Sequence, residues 1–210
     1  MSVSAIIFDV GKVLYDWNPR FLYAKVFEER LIADDRALDA FLQQVVTPEW
    51  HVQHDAGRAF ADTSAELIAA FPQHRTLIAL WGERFGETIR GPLPGMGELV
   101  AELHARGVPL FAITNFSAEF WAPFRLREAA MFDRFRDIVV SGEERLMKPD
   151  PAIFMLALDR FGLSAHDALF VDDAAKNVAA AQALGMAGHV FEGADRFRAE
   201  LVRLGLVDQL

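Results

Sequence analysis

Short apolar runs, each stopped by a polar residue and separated by helix-patterned segments, constrain this chain more than any other feature. IIFD (6–9), VPLFAIT (108–114), DIVVS (137–141) and ALFVDD (168–173) are the clearest of them. Runs of this length without polar alternation suit strands buried on both faces of a parallel sheet. Between them, PGMGELVAELHARG has a proline near its start, apolar residues at Leu99, Val100 and Leu103, and a terminal Gly107, the marks of a capped helix. A helical stretch near 117–131, PAIFMLALDRFG ending at Gly162, and AAKNVAAAQALG continue the alternation; AGHVF adds a last strand and 195–205 a last helix. Such β-α-β repetition with right-handed crossovers predicts an α/β fold, a Rossmann-like parallel sheet with helices on both faces.

Residues 18 to about 90 read differently. PRFLYAKVFEERL, DRALDAFLQQVV, SAELIAAF and RTLIALWGERF show helical periodicity, with no convincing strand among them. The expected organisation is a discontinuous α/β core, 1–17 and 91–210, with an inserted α-helical cap domain over 18–90. GPLPG at 91–95 marks the return to the core.

The ends of the apolar runs hold the chemistry. In an open α/β sheet, ligands bind beyond the carboxyl ends of the strands, so Asp9, Thr114, Asn115, Asp172 and Asp173 are expected to share one crevice. Lys148, in MKPDP, sits before a helix where Pro149 and Pro151 restrict the backbone. Three converging carboxylates repel one another by up to about 4 kcal/mol per pair at ~4 Å and an effective dielectric near 20, so they need a cation. All-oxygen ligands suit Mg²⁺ far better than zinc. Mg²⁺ and Lys148 together would attract an anion, and a phosphate is the obvious one. Asp9 is then the nucleophile. Thr114, Asn115 and the amides after Asp9, at Val10 and Gly11, would donate to phosphate oxygens.

Composition excludes several other classes. The chain has no cysteine, so disulfides, thiolate metal sites and cysteine nucleophiles are ruled out. With 21 basic and 30 acidic residues the net charge is −9, which disfavours nucleic acid and anionic membranes. MSVSAIIFDV lacks a basic n-region, and no stretch approaches the ~20 apolar residues that span a bilayer. The expectation is a cytoplasmic protein, monomer or homodimer, acting on a small phosphorylated metabolite.

The motifs resemble those of the haloacid dehalogenase superfamily: IIFDVGKVL its first motif, AITN its second, MKPDPAIF its third and LFVDDAAKN its fourth, in order. PLPGMGELVAELHARGVPLFAITN resembles the connecting segment of the subgroup with a helical cap after the first strand. The resemblance implies a Rossmann-like core, a mobile cap and an aspartyl-phosphate intermediate on Asp9. It also implies a metal set of Asp9, the Gly11 carbonyl, Asp172 and Asp173. Gly11 departs from the phosphatase pattern, because most family phosphatases carry there an Asp that serves as general acid and base. The acid therefore comes from the cap, or the leaving group hardly needs a proton, or activity is weak. A branch hydrolysing sugar phosphates has a similar FDxGxVL opening, which makes a sugar phosphate the expected substrate. His51, His54 and Asp55 in EWHVQHD are the candidate proton donors from the insertion.

Some assignments stay open. Asp172 and Asp173 also fit an N-cap for the helix near 174. Asn177 is either a supporting group or helix surface. Trp17, Phe21, Trp50, Phe60, Trp81 and Phe85 line a substrate pocket or form the core of the cap, and Trp17, nearest Asp9 in sequence, is the best pocket candidate. Phe116, Phe120 and Trp121 face the cap or simply pack. A metal-independent 2-haloacid dehalogenase would have neutral residues in place of Asp172 and Asp173, while a signalling receiver would place its acidic pair first. A catalytically degenerate binding member of the family is the remaining alternative.

Overall fold

A computed structural model describes residues 3–28 and 34–209 of the chain. The first stretch comprises β1 (Ala5–Phe8), β2 (Tyr15–Trp17) and α1 (Pro19–Glu28). There follow α2 (Asp35–Gln44), α3 (Pro48–Asp55), α4 (Phe60–Ala70), α5 (Arg75–Arg84) and β3 (Ile89–Pro92). The remainder runs α6 (Met96–Ala105), β4 (Leu110–Thr114), α7 (Ala118–Arg127), α8 (Ala129–Phe132), β5 (Asp137–Val140) and α9 (Ser141–Glu144). It ends with α10 (Pro151–Phe161), β6 (Ala168–Asp172), α11 (Ala175–Ala183), β7 (Ala187–Val190) and α12 (Ala194–Arg203).

Five strands pair in parallel in the order β5-β4-β1-β6-β7, the open α/β sheet that the apolar runs predict. The runs lack polar alternation because both faces are covered. In β1, Ile6 and Phe8 join one buried cluster while Ala5 and Ile7 join another; Leu110 and Ala112 oppose Phe111 and Ile113 in the same way in β4. β1 is central, with β4 and β6 on either side, so the strand order reverses there. Such a switch point leaves a crevice beyond the strand ends.

The helices α1–α5 lie between β2 and β3, and their buried side chains, Tyr23, Phe41, Trp50 and Trp81 among them, belong to the same apolar cluster as Phe8. An aromatic seam carries the contact: Phe85 stacks on Phe120 (4.3 Å, 11°) and meets Phe116 edge-on (5.5 Å), and Phe60 meets Phe120 at 5.8 Å. Trp50, Phe60 and Trp81 therefore pack rather than line a pocket. Trp121 packs on Phe116 and Phe132 within the core.

Three local features differ from the sequence reading. Ile89–Pro92 forms a strand that pairs antiparallel with Tyr15–Trp17, through Tyr15↔Pro92 and Trp17↔Ile89. Its Gly91 and Pro92 depress strand propensity, and the partner strand supplies what propensity does not. PEWHVQHD forms a helix whose start Thr47 caps by accepting from the Trp50 amide, with Pro48 in the first turn. The helical stretch near 117–131 is two helices, broken at Glu128.

Candidate active site

Asp9 follows directly on β1, Asp172 ends β6, and both face the crevice of the central strands. One carboxylate oxygen from each of Asp9, Asp172 and Asp173 lies within 4.8 Å of the other two. The Lys148 ammonium donates to Asp9 Oδ1 and to Asp172 Oδ2, each at 2.7 Å. Lys148 and Asp172 are buried, Asp9 nearly so, and Asp173 is exposed.

The polypeptide is fitted to this cluster. Asn115 clamps the backbone of residue 148 from both sides: its Nδ2 donates to the Lys148 carbonyl at 3.0 Å and its Oδ1 accepts from the Lys148 amide at 2.9 Å. Asp172 accepts from the Ala174 amide (2.8 Å) and from Asn177 Nδ2 (3.0 and 3.1 Å). It therefore holds the amide of Ala174, the residue before α11, without capping the helix itself, and Asn177 is a supporting group rather than helix surface. Lys12, at φ 60°, turns the chain so that its amide donates to the Tyr15 carbonyl at 2.7 Å. Left-handed backbone at a non-glycine residue is uncommon, and here the loop around it holds the turn.

Burial pushes the Asp9 carboxyl well above the ordinary carboxylate range; Lys148 opposes the shift and Asp172 adds to it. Burial also works against the charge of Lys148, but the two carboxylates hold its pKa above the usual value. Partial desolvation of its carboxyl at the crevice, and then Asp172, raise Asp173 even though much of the residue is exposed. Three carboxylates against one buried ammonium leave negative charge that a hard divalent cation would balance, and the donors are all oxygens.

A cavity of about 370 Å³ opens over the cluster, lined by Asp9, Val10, Gly11, Asn115, Lys148, Asp173 and Asn177 from the core and by Trp17 beside them. Three expected roles differ in the structure. The Asn115 side chain is engaged with the backbone of residue 148, so its first effect is to position the lysine. The Val10 amide donates to Asp9 Oδ1 at 2.7 Å, so it orients the Asp9 carboxylate rather than waiting for a ligand. Thr114 is buried at the end of β4 and is not part of the cavity wall.

Sequence reasoning did not single out Lys12 and Lys176, both exposed at the mouth, or Pro48, Val52 and Ile89 in the wall. Lys12 sits three residues after Asp9 and Lys176 one before Asn177, so proximity to the motifs was the available signal. His51 and Asp55 also line the cavity, and His54 does not. The His54 ring is buried against Trp50, and its Nε2 lies 2.6 Å from Thr63 Oγ1.

The fold and this carboxylate-lysine crevice define a class of open parallel α/β sheets that place an aspartate directly after the first strand. Residues 3–185 match the model of the haloacid dehalogenase-like hydrolases, and the chain belongs to that family. The sesquiterpene phosphatase astK of Aspergillus oryzae is 31% identical over 194 residues, covering 89% of each chain. The phosphoglycolate phosphatase of Nitrosospira multiformis is 41% identical over 99 residues, covering 47% of this chain and 42% of its own length. A haloacid dehalogenase-family enzyme of Bacteroides thetaiotaomicron, crystallised with magnesium and inorganic phosphate, shares the fold at 17% identity. Its TM-score is 0.64, with 91% of this chain and 95% of that one covered. No described helix is long and apolar enough to cross a membrane.

Proposed function

We propose that the protein is a Mg²⁺-dependent phosphomonoesterase that acts on a small phosphorylated metabolite through an aspartyl phosphate on Asp9. The observation that carries this is the 4.8 Å convergence of Asp9, Asp172 and Asp173 around a buried Lys148. Asp9, Asp172, Asp173 and the Gly11 carbonyl would hold the ion, which when bound balances carboxylate and phosphate charge. The acidic pair also argues against a metal-independent dehalogenase. Relatives named as phosphatases, and a fold neighbour holding magnesium and phosphate, point the same way. In this reading residues 18–90 act as a cap that supplies part of the substrate wall.

The wall bears on the leaving group. The FDxGxVL opening favours a sugar phosphate, and Lys12, His51, Asn115 and Lys176 in the wall offer hydroxyls partners, yet Trp17, Pro48, Val52, Phe85, Ile89 and Phe116 make another part of it apolar. Each sugar hydroxyl set against such a wall without a partner costs about 1–3 kcal/mol. That lining favours a second reading, a phosphate ester of an apolar alcohol, the kind of substrate that the name of the Aspergillus relative describes. The test is phosphate release from an aldose 1-phosphate, phosphoglycolate and a sesquiterpenyl phosphate, with and without Mg²⁺ and with Asp9→Asn as the blank. Chloride release from 2-chloropropionate is measured beside it. Mg²⁺-stimulated phosphate release that the blank lacks is expected; chloride release without metal would overturn the proposal.

A further inference from the structure

An alcohol leaving phosphorus needs a proton, and the residue two positions after the nucleophile, Gly11, has none to give. On the phosphatase reading above, we propose that Asp55, the last residue of α3, is the general acid and base of the reaction. Asp55 lines the cavity with Asp9 and Lys148 although it comes from the helical insertion. It is 6% exposed, and its Oδ1 has no hydrogen-bond partner within the protein. A buried carboxyl oxygen without a partner is costly, so the fold holds this carboxyl at the cavity wall at some expense in stability.

Its position is set by the core rather than by the rest of the insertion. Ser141 Oγ donates to the Asp55 carbonyl at 2.6 Å and accepts from the Phe116 amide at 3.0 Å, which ties the end of α3 to the loop following β4. Two residues on, Gly57 at φ 89° passes so close to the core that a Cβ there would stand 2.9 Å from the Gly142 carbonyl oxygen. Gly142 is packed as tightly, since its own Cβ would meet the Ala118 amide nitrogen at 2.5 Å.

The charges around Asp55 suit the role. Burial raises its carboxyl to about 7, with Asp9 adding to the shift and Lys148 and the Ser117 amide opposing it. On its own helix, His51 Nε2 stands 3.4 Å from Asp55 Oδ2, and its ring stacks on Trp17 at 5.1 Å. Burial, and then His54, depress the His51 ring to about 3, which favours a neutral imidazole beside the carboxyl. His51 is therefore a positioning residue for the carboxyl. His54 is outside the cavity wall.

In the first half-reaction an Asp9 oxygen bonds to phosphorus while the bond from phosphorus to the leaving oxygen breaks, and that oxygen takes the Asp55 proton. In the second, the Asp55 carboxylate takes a proton from water as the water oxygen bonds to phosphorus. The Asp9–phosphorus bond breaks, leaving inorganic phosphate, an Asp9 carboxylate and a protonated Asp55.

Rapid-mixing kinetics with 4-nitrophenyl phosphate and an unactivated alkyl phosphate test this in the Mg²⁺-loaded protein. Asp55→Asn is expected to give a stoichiometric nitrophenolate burst followed by turnover reduced about 10²- to 10⁴-fold, with phosphate trapped covalently on the chain. On the alkyl ester the same variant loses the burst as well. Asp55→Glu, which keeps the acid, restores alkyl-ester turnover, and Asp9→Asn gives no burst on either. Equal losses on both esters in Asp55→Asn, without trapped phosphate, would reveal a merely structural role and overturn the proposal, as would wild-type kinetics. Should Asp55→Asn fail to fold, Asp55→Glu decides instead: its alkyl-to-aryl ratio must stay near that of the wild type. A wild-type protein that releases phosphate from neither ester would sink the phosphatase reading itself, a distinct failure.

Discussion

Replacing Lys148 with methionine keeps an unbranched stem of similar length and removes the ammonium from between two carboxylates. At 2.7 Å from each oxygen, a unit pair attracts by about 6 kcal/mol at an effective dielectric near 20. Two such pairs are set against a burial penalty of several kcal/mol per ion. Removing one partner of a buried ion pair costs about 3–5 kcal/mol, because the orphaned charge stays inside. A domain of ordinary stability has ~5–15 kcal/mol in all, so metal-free Lys148→Met should sit near the edge of folding at neutral pH. The sign with pH follows from the carboxyls left behind. Asp9, already raised by burial and by Asp172, loses the opposing pull of Lys148, so its favourable contribution is full below about pH 4 and fades as pH climbs through the raised value. The gap between variant and wild type should therefore be small near pH 4, widen toward pH 8, and narrow again on adding Mg²⁺. Urea unfolding of metal-free protein at several pH values measures it, and phosphate release should fall about 10²- to 10³-fold in parallel. A variant whose unfolding midpoint matches the wild type at pH 8 without metal would refute the reasoning, since it would mean that Lys148 compensates nothing.

Asp55→Asn removes a carboxyl raised by burial from 3.8 to about 7, whose stabilising contribution is present below pH 4 and lost as pH rises through about 7. The variant should match the wild type near pH 4 and exceed it by up to about 4 kcal/mol at pH 8, read from thermal midpoints across pH. Gly57→Ala introduces a Cβ in left-handed backbone, 2.9 Å from the Gly142 carbonyl oxygen. A loss of about 1–3 kcal/mol is expected, together with a fall in turnover larger than that stability change explains, because Asp55 moves with the strained turn. Asn115→Ala unpairs the amide and carbonyl of residue 148 and should cost about 1–3 kcal/mol in urea unfolding. Its activity loss should resemble a milder Lys148→Met and not the loss of a phosphate ligand, which would raise KM alone.

The parts of this protein that the sequence made legible are those whose physics is local. Ile6 to Phe8 and Phe111 to Ile113 read as strands buried on both faces because their runs are too short for a helix and stop at polar or turn residues, and the carboxyl ends of such strands meet in one crevice. Residues far apart in sequence, Asp9, Lys148 and Asp172, were thus brought together by topology alone. What resisted reading depends on pairings that no window of sequence contains. β3 exists because Trp17 pairs with Ile89 across the whole insertion, against the tendencies of its own Gly91 and Pro92. The helix carrying Asp55 announced itself only by Thr47 and Pro48, and even a correct helix assignment leaves open which of His51, His54 and Asp55 meets the cavity. That choice is made by Ser141 and by the glycine pair 57 and 142, which allow one end of α3 to lie directly on the core. A glycine in EWHVQHDAG reads as a helix stop, and the same residue is what lets the end of α3 lie against Gly142 with Asp55 in the cavity wall.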